Sequence, residues 1–379
     1  QLHEYVSECT SAIFVWCVAD FCKCSDPYAA YNSCYKRKKE NSKNYYLYIF
    51  FFVLAIIPYF FVSGFRYGVG TDYFYTYFPR FYQIMGGSNG YTEFLFTGLN
   101  KFILLFTDEA QWLFIITSFI FVLFMMLSIK KMTHHWYIGG ILLLLSNVYL
   151  ISLSNVRQYL AISIGIYALS FACDRKYIQL IVLGTLSVLF HYTAVCMIPI
   201  YIIGLVSKFP KFKKYAFFFL IVIIALSPTY IPLTKAILKN TRYIKYFEIT
   251  GVPRPLYFYL IPSGITLLIA LVFYKKVSSY NQYTFTLLVC LTLATIIGIL
   301  SIFNPIVETM SRACNWYYWS IIFIVPMFLD LFKQKWIGIL ITISLILIIS
   351  SSTYYLIVVL GHHEVLPYRF FFWKDHFIY

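Results

Sequence analysis

Apolar side chains recur along this chain in long unbroken runs, and polar residues collect in the short stretches between them. Runs of spanning length cover 45–63, 110–129, 135–153, 157–173, 214–230, 256–274, 283–303, 313–331 and 336–360. A membrane-crossing helix needs about 20 such residues, so each run predicts one. The stretch 177–206 is too long for one span and is interrupted by "FHYTAVCMIP", which predicts two short helices divided at His191. Residues 11–22, "SAIFVWCVADFC", hold Asp20 and predict only a weak first span. They lack the basic leader and small-residue cleavage site of a signal peptide. The expected fold is an all-α polytopic membrane protein of eleven or twelve spans, with extracytoplasmic re-entrant or amphipathic segments. One segment follows a different pattern. In 91–109, Phe94, Leu95, Leu99, Phe102, Ile103 and Phe106 recur at helical spacing, which predicts a helix lying on the membrane surface.

Composition supports this reading. The chain is 61% hydrophobic and only 12% charged, where a soluble domain carries about a quarter charged residues. No soluble domain, internal repeat or low-complexity tract interrupts the runs, so residues 1–379 are expected to form a single integral membrane domain. Within it, 1–44 would hold the weak span and a basic loop, 64–109 an extracytoplasmic loop with the amphipathic helix, and 231–255 a basic extracytoplasmic loop. The formal charge of +15 is accounted for by loops on one membrane face, so nucleic acid is not expected as a partner. The nine cysteines lack the spacing of a zinc site, and neither a metal nor a disulfide framework is expected. No Gly-rich phosphate loop is visible, and no cofactor is expected.

Charge placement adds more. Basic clusters at 36–39, 130–131, 175–176, 208–214, 275–276 and 333–335 fall in alternate loops, which marks those loops as cytoplasmic. Sixteen of the 21 lysines lie on that side. Of the nine arginines only Arg37 and Arg175 do; Arg66, Arg80, Arg157, Arg242, Arg254, Arg312 and Arg369 lie outside or at outer helix ends. Topology needs only positive charge. Arginine adds a planar fork that grips phosphate or carboxylate at two points, so the outer face reads as a site for an anionic ligand.

Several stretches carry candidate chemistry. "FRYGVGTDYFYTYFPRF" (65–81) puts Arg66, Asp72 and Arg80 just past a span, with Gly64, Gly68 and Gly70 allowing a tight turn; the plainer alternative is an interfacial anchor loop. "SNVRQYLAISIGIYA" (154–168) puts Arg157 and Gln158 at the first turn of a span, as an anion ligand with a neutral donor beside it or as a snorkelling anchor. His191 stands where a helix breaks at membrane depth, as a base or as a hydrogen-bonded structural residue. Glu93 opens the amphipathic segment, where it would cap the helix or serve as a base. Glu308 and Arg312 are four apart on one helical face, and the aromatic tail 362–379 suits the interface.

Taken in order, "FRYGVGTDYFYTY", "YTEFLFTGLNKFI", "NVRQYLAISIGIYA" with "FHYTA", "MSRACNWYYW" and "LPYRFFF" resemble the EpsG-type family of membrane polysaccharide polymerases, relatives of the Wzy O-antigen polymerases of bacteria. The resemblance runs from about residue 45 to 375; residues 1–44 fit it less well. It implies a multi-pass enzyme of the bacterial cytoplasmic membrane whose active site faces outward. The activity implied is transfer of a growing exopolysaccharide, capsule or O-antigen chain from undecaprenyl pyrophosphate onto a new lipid-linked repeat unit. Arg66, Asp72, Arg157, His191 and Arg312 carry over onto the family's motifs. Asp72 and His191 are then the first candidates for the base, ahead of Glu93 and Glu308. Arg157 joins them in the catalytic set. Arg66, Arg80, Gln158, Arg242, Arg254, Glu308 and Arg312 are expected to bind pyrophosphate and sugar, while Tyr67, Tyr73, Tyr75, Tyr77, Tyr192 and Trp316 would stack on sugar faces. The implied partners are the lipid-linked oligosaccharide and the bilayer, with a chain-length regulator and a flippase as further candidates. Two rival functions remain: a lipid-linked oligosaccharide flippase, and a sugar-modifying acyltransferase using His134 and His135.

Overall fold

The computed structural model describes residues 50–91, 93–209, 257–303 and 307–376. The weak first span, the run 214–230 and the basic loop 231–255 lie outside them. By its internal contacts the chain divides into two units, 1–58 and 59–379. Of the first, the described residues are the opening turns of a helix, α1, spanning Phe50–Gly64. All that follows concerns the second.

The second unit is all-α. Among its described residues no strand forms, and one isolated bridge joins Arg66 to Phe370. After α1 come a π turn at Tyr73–Tyr77, α2 (Phe78–Met85), α3 (Phe94–Leu104), α4 (Gln111–Met132), α5 (Trp136–Leu145), α6 (Asn147–Ser152), α7 (Val156–Asp174) and α8 (Tyr177–Phe190). A 3-10 segment (Tyr192–Met197) leads into α9 (Ile198–Val206). Beyond the undescribed residues lie α10 (Tyr257–Val272), α11 (Tyr274–Ser278), α12 (Thr284–Phe303), α13 (Val307–Tyr318), α14 (Ile321–Ile324) and α15 (Lys335–Tyr354).

The helix at the centre of the bundle is α7. Of its best 18-residue window 89% is buried, against 28% for the helix running from Lys335. Small side chains make this possible. A Cβ on Gly165 would stand 3.0 Å from the Tyr201 hydroxyl and 3.2 Å from Ser187 Oγ, and Ser187 Oγ donates to the Ala161 carbonyl at 2.7 Å. Small residues and interhelical hydrogen bonds of this kind join helices where lipid supplies no hydrophobic drive. Helix α7 packs against α4, α8 and α9, while α10, α12, α13 and α15 form a second group. The chain is therefore an all-α membrane protein. Among the described residues three helices are long and apolar enough to cross a bilayer, and shorter apolar helices accompany them.

Several elements differ from the expected spans. Residues 135–153 are not one helix: Ser146 is extended (φ −92°, ψ 159°) and its hydroxyl returns to the Leu143 carbonyl, which divides α5 from α6. The run 313–331 is divided as well, into α13, α14 and a 3-10 segment at Val325–Leu329 that holds Pro326. Within 64–109 the expected helix is present as α3. The π turn and α2 precede it, with Pro79 in the first turn of α2, where a missing N–H costs nothing. Helix α3 is apolar on both sides: Phe96 and Ile103 are buried, while Phe94 and Phe102 are exposed.

The glycines after α1 are required by close approach. Gly70 has φ +96°, and a Cβ there would lie 2.5 Å from the Leu153 carbonyl oxygen. The stretch 65–71 is held further by the C-terminal segment. Tyr67 N–H donates to the Arg369 carbonyl (2.9 Å), Phe371 N–H to Phe65 (2.8 Å), Gly70 N–H to Glu364 (3.1 Å) and Thr71 N–H to His363 (2.9 Å). The aromatic tail thus folds back onto the stretch that follows α1.

Candidate active site

Three elements converge beside the N-terminus of α7. Glu93 immediately precedes α3 with an extended backbone, and its side chain makes no capping bond to that helix. It points inward instead and is only 2% exposed. One carboxylate oxygen, Oε2, accepts from Arg157 Nη1 at 2.8 Å; the other, Oε1, lies 3.1 Å from His191 Nδ1. A buried carboxylate is costly unless paired and hydrogen-bonded, and here both oxygens are used. Burial by itself raises the Glu93 carboxyl. The His191 hydrogen bond and the Arg157 charge outweigh it and hold the group down at about 2.

His191 is placed by the helix break. Its backbone is extended (φ −156°, ψ 112°); its N–H closes α8 on the Ser187 carbonyl, and its own carbonyl accepts from Ala194. The imidazole lies parallel to the Trp316 ring, at 8° and 6.5 Å between centroids. Burial lowers its pKa below the ordinary 6.5, and the charges of Arg157 and Arg312 push the same way against the Glu93 bond. At neutral pH a neutral ring facing an ionised carboxylate must present Nδ1–H to it, which leaves the Nε2 lone pair unprotonated.

Arg157 is held by its backbone and by two tyrosine rings as well as by Glu93. Its guanidinium lies over the Tyr91 ring at 4.7 Å and the Tyr77 ring at 5.9 Å, and its backbone N–H donates to the Tyr77 hydroxyl at 3.2 Å. The π turn delivers Tyr77 to this place; such turns re-aim side chains and are frequent at functional sites. Next to it, Gln158 Nε2 donates to the Arg312 carbonyl at 2.9 Å and so ties α7 to α13.

The other residues singled out in the sequence are distributed as follows. Asp72 precedes the π turn, where its Oδ1 accepts from Thr76 Oγ1 at 3.4 Å and its N–H faces Ser154 Oγ. Arg80 is exposed on α2 and lies 5.8 Å from the centre of the Tyr91 ring. Arg66 is 1% exposed. Its guanidinium donates to the carbonyls of Ser63 and Leu153 and to Ser118 Oγ, and covers the Phe114 ring at 4.9 Å. It is built into the core. Arg242, Arg254 and the side chain of Glu308 lie outside the described residues. His135 is bound to Asp330 at 2.9 Å, and His134 to Tyr280 at 3.1 Å, in a separate cluster. Glu93 was the least conspicuous of these in the sequence. Its only signal was a carboxylate opening an apolar helix.

A cluster of a buried carboxylate, an oriented imidazole and an arginine at a helix mouth is equipped for proton abstraction beside an anionic group. A model of the EpsG family matches residues 27–370 of the chain. The chain belongs to the EpsG family. Membership points to a membrane-embedded polysaccharide polymerase. Comparison with curated proteins finds no match, and comparison with solved structures finds none either. The EpsG match takes in α1 to α15, and with them Glu93, Arg157 and His191.

Proposed function

We propose that the chain polymerises a bacterial surface polysaccharide at the outer leaflet of the cytoplasmic membrane, moving the growing glycan from undecaprenyl pyrophosphate onto a new lipid-linked repeat unit. The observation that carries the proposal is the Glu93 carboxylate held between Arg157 and His191. His191 Nε2 takes the proton of the attacking sugar hydroxyl. The new glycosidic C–O bond forms at the anomeric carbon of the donor as its bond to the carrier breaks, and undecaprenyl pyrophosphate leaves with the electron pair. Glu93 keeps the imidazole in the required tautomer and stabilises the imidazolium that forms, as a carboxylate does behind any histidine base. Arg312 offsets charge on the departing pyrophosphate, with Arg242 and Arg254 assigned to the same ligand, while Arg157 holds Glu93 in place. Asp72 supplies negative charge to an oxocarbenium-like transition state. The donor already contains its leaving group, so no nucleotide is needed.

The test is a gel of surface polysaccharide from a strain lacking the gene, complemented with wild type, His191→Gln, Glu93→Gln or Arg157→Ala. The proposal expects single repeat units in the deletion strain, a ladder with wild type and none with His191→Gln or Arg157→Ala. Repeat units accumulating inside the cell would instead indicate a flippase, and a persistent ladder with altered decoration an acyltransferase.

A further inference from the structure

A cavity of about 320 Å³ is lined by Arg157 and walled by the π turn, α2 and the Gly90–Tyr91 segment. That volume is at the lower end for small-ligand sites, room for one or two sugar rings. Its lining is mostly polar, with Thr76 and Gln83 beside the rings of Tyr75 and Tyr91, and two guanidiniums, those of Arg80 and Arg157, face it without an acidic residue among the lining. Among the described residues Arg80 has no carboxylate partner; what it meets is the Tyr91 ring. The Tyr91 hydroxyl and Arg157 Nε are buried without a hydrogen-bond partner.

Gly90 makes this wall possible. Its φ is +75°, and a Cβ there would strike Thr97 Cγ2 at 2.9 Å and Ile84 at 3.0 Å, so the chain can turn Tyr91 under both arginines only through a glycine. Neutral hydrogen-bonding groups and tyrosine faces suit a pyranose ring, and an arginine fork suits a carboxylate. A lipid tail would find little apolar wall here.

Resting on the polymerase reading, we infer that the Tyr75–Arg80–Tyr91–Arg157 cavity is a subsite for an acidic sugar of the repeat unit, one bearing a carboxylate, and that it selects such repeat units for polymerisation. Because Arg157 belongs both to this cavity and to the Glu93 pair, a carboxylate bound here meets the same guanidinium that anchors the base.

The experiment uses the repeat unit that the deletion strain accumulates, released from its lipid pyrophosphate by mild acid, with one half carboxyl-reduced. Binding to the purified full chain is measured by calorimetry, for wild type and Arg80→Gln. Arg80 is exposed, so the variant should fold, which its thermal unfolding verifies. The inference expects the repeat unit to contain an acidic sugar and carboxyl reduction to weaken binding at least tenfold. It also expects Arg80→Gln to weaken binding of the native form and narrow its advantage over the reduced form, with Arg157 keeping the remainder, and inorganic pyrophosphate not to displace the native unit. A repeat unit with no acidic group, equal binding of the two forms by wild type, or no measurable binding overturns it. Displacement by inorganic pyrophosphate assigns the cavity to the carrier and overturns it as well. A deletion strain that accumulates no repeat unit removes the polymerase reading itself, which is a separate outcome.

Discussion

Glu93 Oε1 lies 3.1 Å from His191 Nδ1 across 98 residues of sequence, and the other oxygen of the same carboxylate holds Arg157. The bond joins the start of α3 to the break between α8 and the 3-10 segment that leads into α9. Neither group would be stable at its depth alone. Burial keeps the imidazole neutral against the Glu93 bond, and that bond fixes the tautomer in which Nε2 can accept a proton.

Transfer activity should therefore rise with pH through a single ionisation lying below 6.5, the ordinary histidine value. The sign follows from the lowered His191 pKa: protonation removes the lone pair, so activity is lost as pH falls through it. Glu93, at about 2, stays ionised throughout this range. A pH profile of initial rates checks this. In Glu93→Gln the acid limb should shift, because the group that favours the imidazolium is gone.

His191→Gln should lower the transfer rate by about 10²–10⁴, the usual contribution of a positioned base. Rates with purified protein at saturating lipid-linked substrate measure it. Substrate binding should change little, which separates loss of the base from loss of the fold.

Glu93→Gln leaves the Arg157 guanidinium without its counter-charge. Removing one partner of a buried pair costs about 3–5 kcal/mol, so thermal unfolding in detergent should fall by several degrees. Linkage gives an independent check. The folded carboxyl, near 2 against an ordinary 4.5, contributes stability that is complete above 4.5 and is lost as pH falls from 4.5 towards 2. The variant should lack that decline.

Arg66→Met should behave differently from Arg157→Ala. Arg66 donates to two carbonyls and a hydroxyl inside the core, and losing it leaves those acceptors unsatisfied, at about 1–3 kcal/mol each. Expression level and thermal unfolding should drop, while the specific rate of whatever protein remains folded stays near wild type.

Much of this was legible in the sequence, for reasons that can be named. Apolar runs reported α4, α7 and α15 because lipid demands a long uninterrupted stretch. The over-long run at 177–206 reported the break at His191, and helical spacing reported α3. What stayed hidden depends on contacts distant in sequence. Arg66 and Arg157 both read as arginines at the outer end of a span, yet one is enclosed by Ser63, Ser118 and Leu153 while the other meets Glu93. No local pattern separates them. Ser146 ended a helix inside an apolar run because one hydroxyl competes with the backbone, an effect too small for a hydropathy average to register. Helix α2 lies in a stretch whose polar and aromatic residues resemble an interfacial loop, and Pro79 is the local mark of its start.

The most direct test of the account is reconstitution of the purified chain in liposomes with its lipid-linked repeat unit as the sole substrate. The account predicts a ladder of glycan products together with one undecaprenyl pyrophosphate released per bond formed, both abolished by His191→Gln. Repeat units crossing the bilayer with no new glycosidic bond and no carrier released would contradict it.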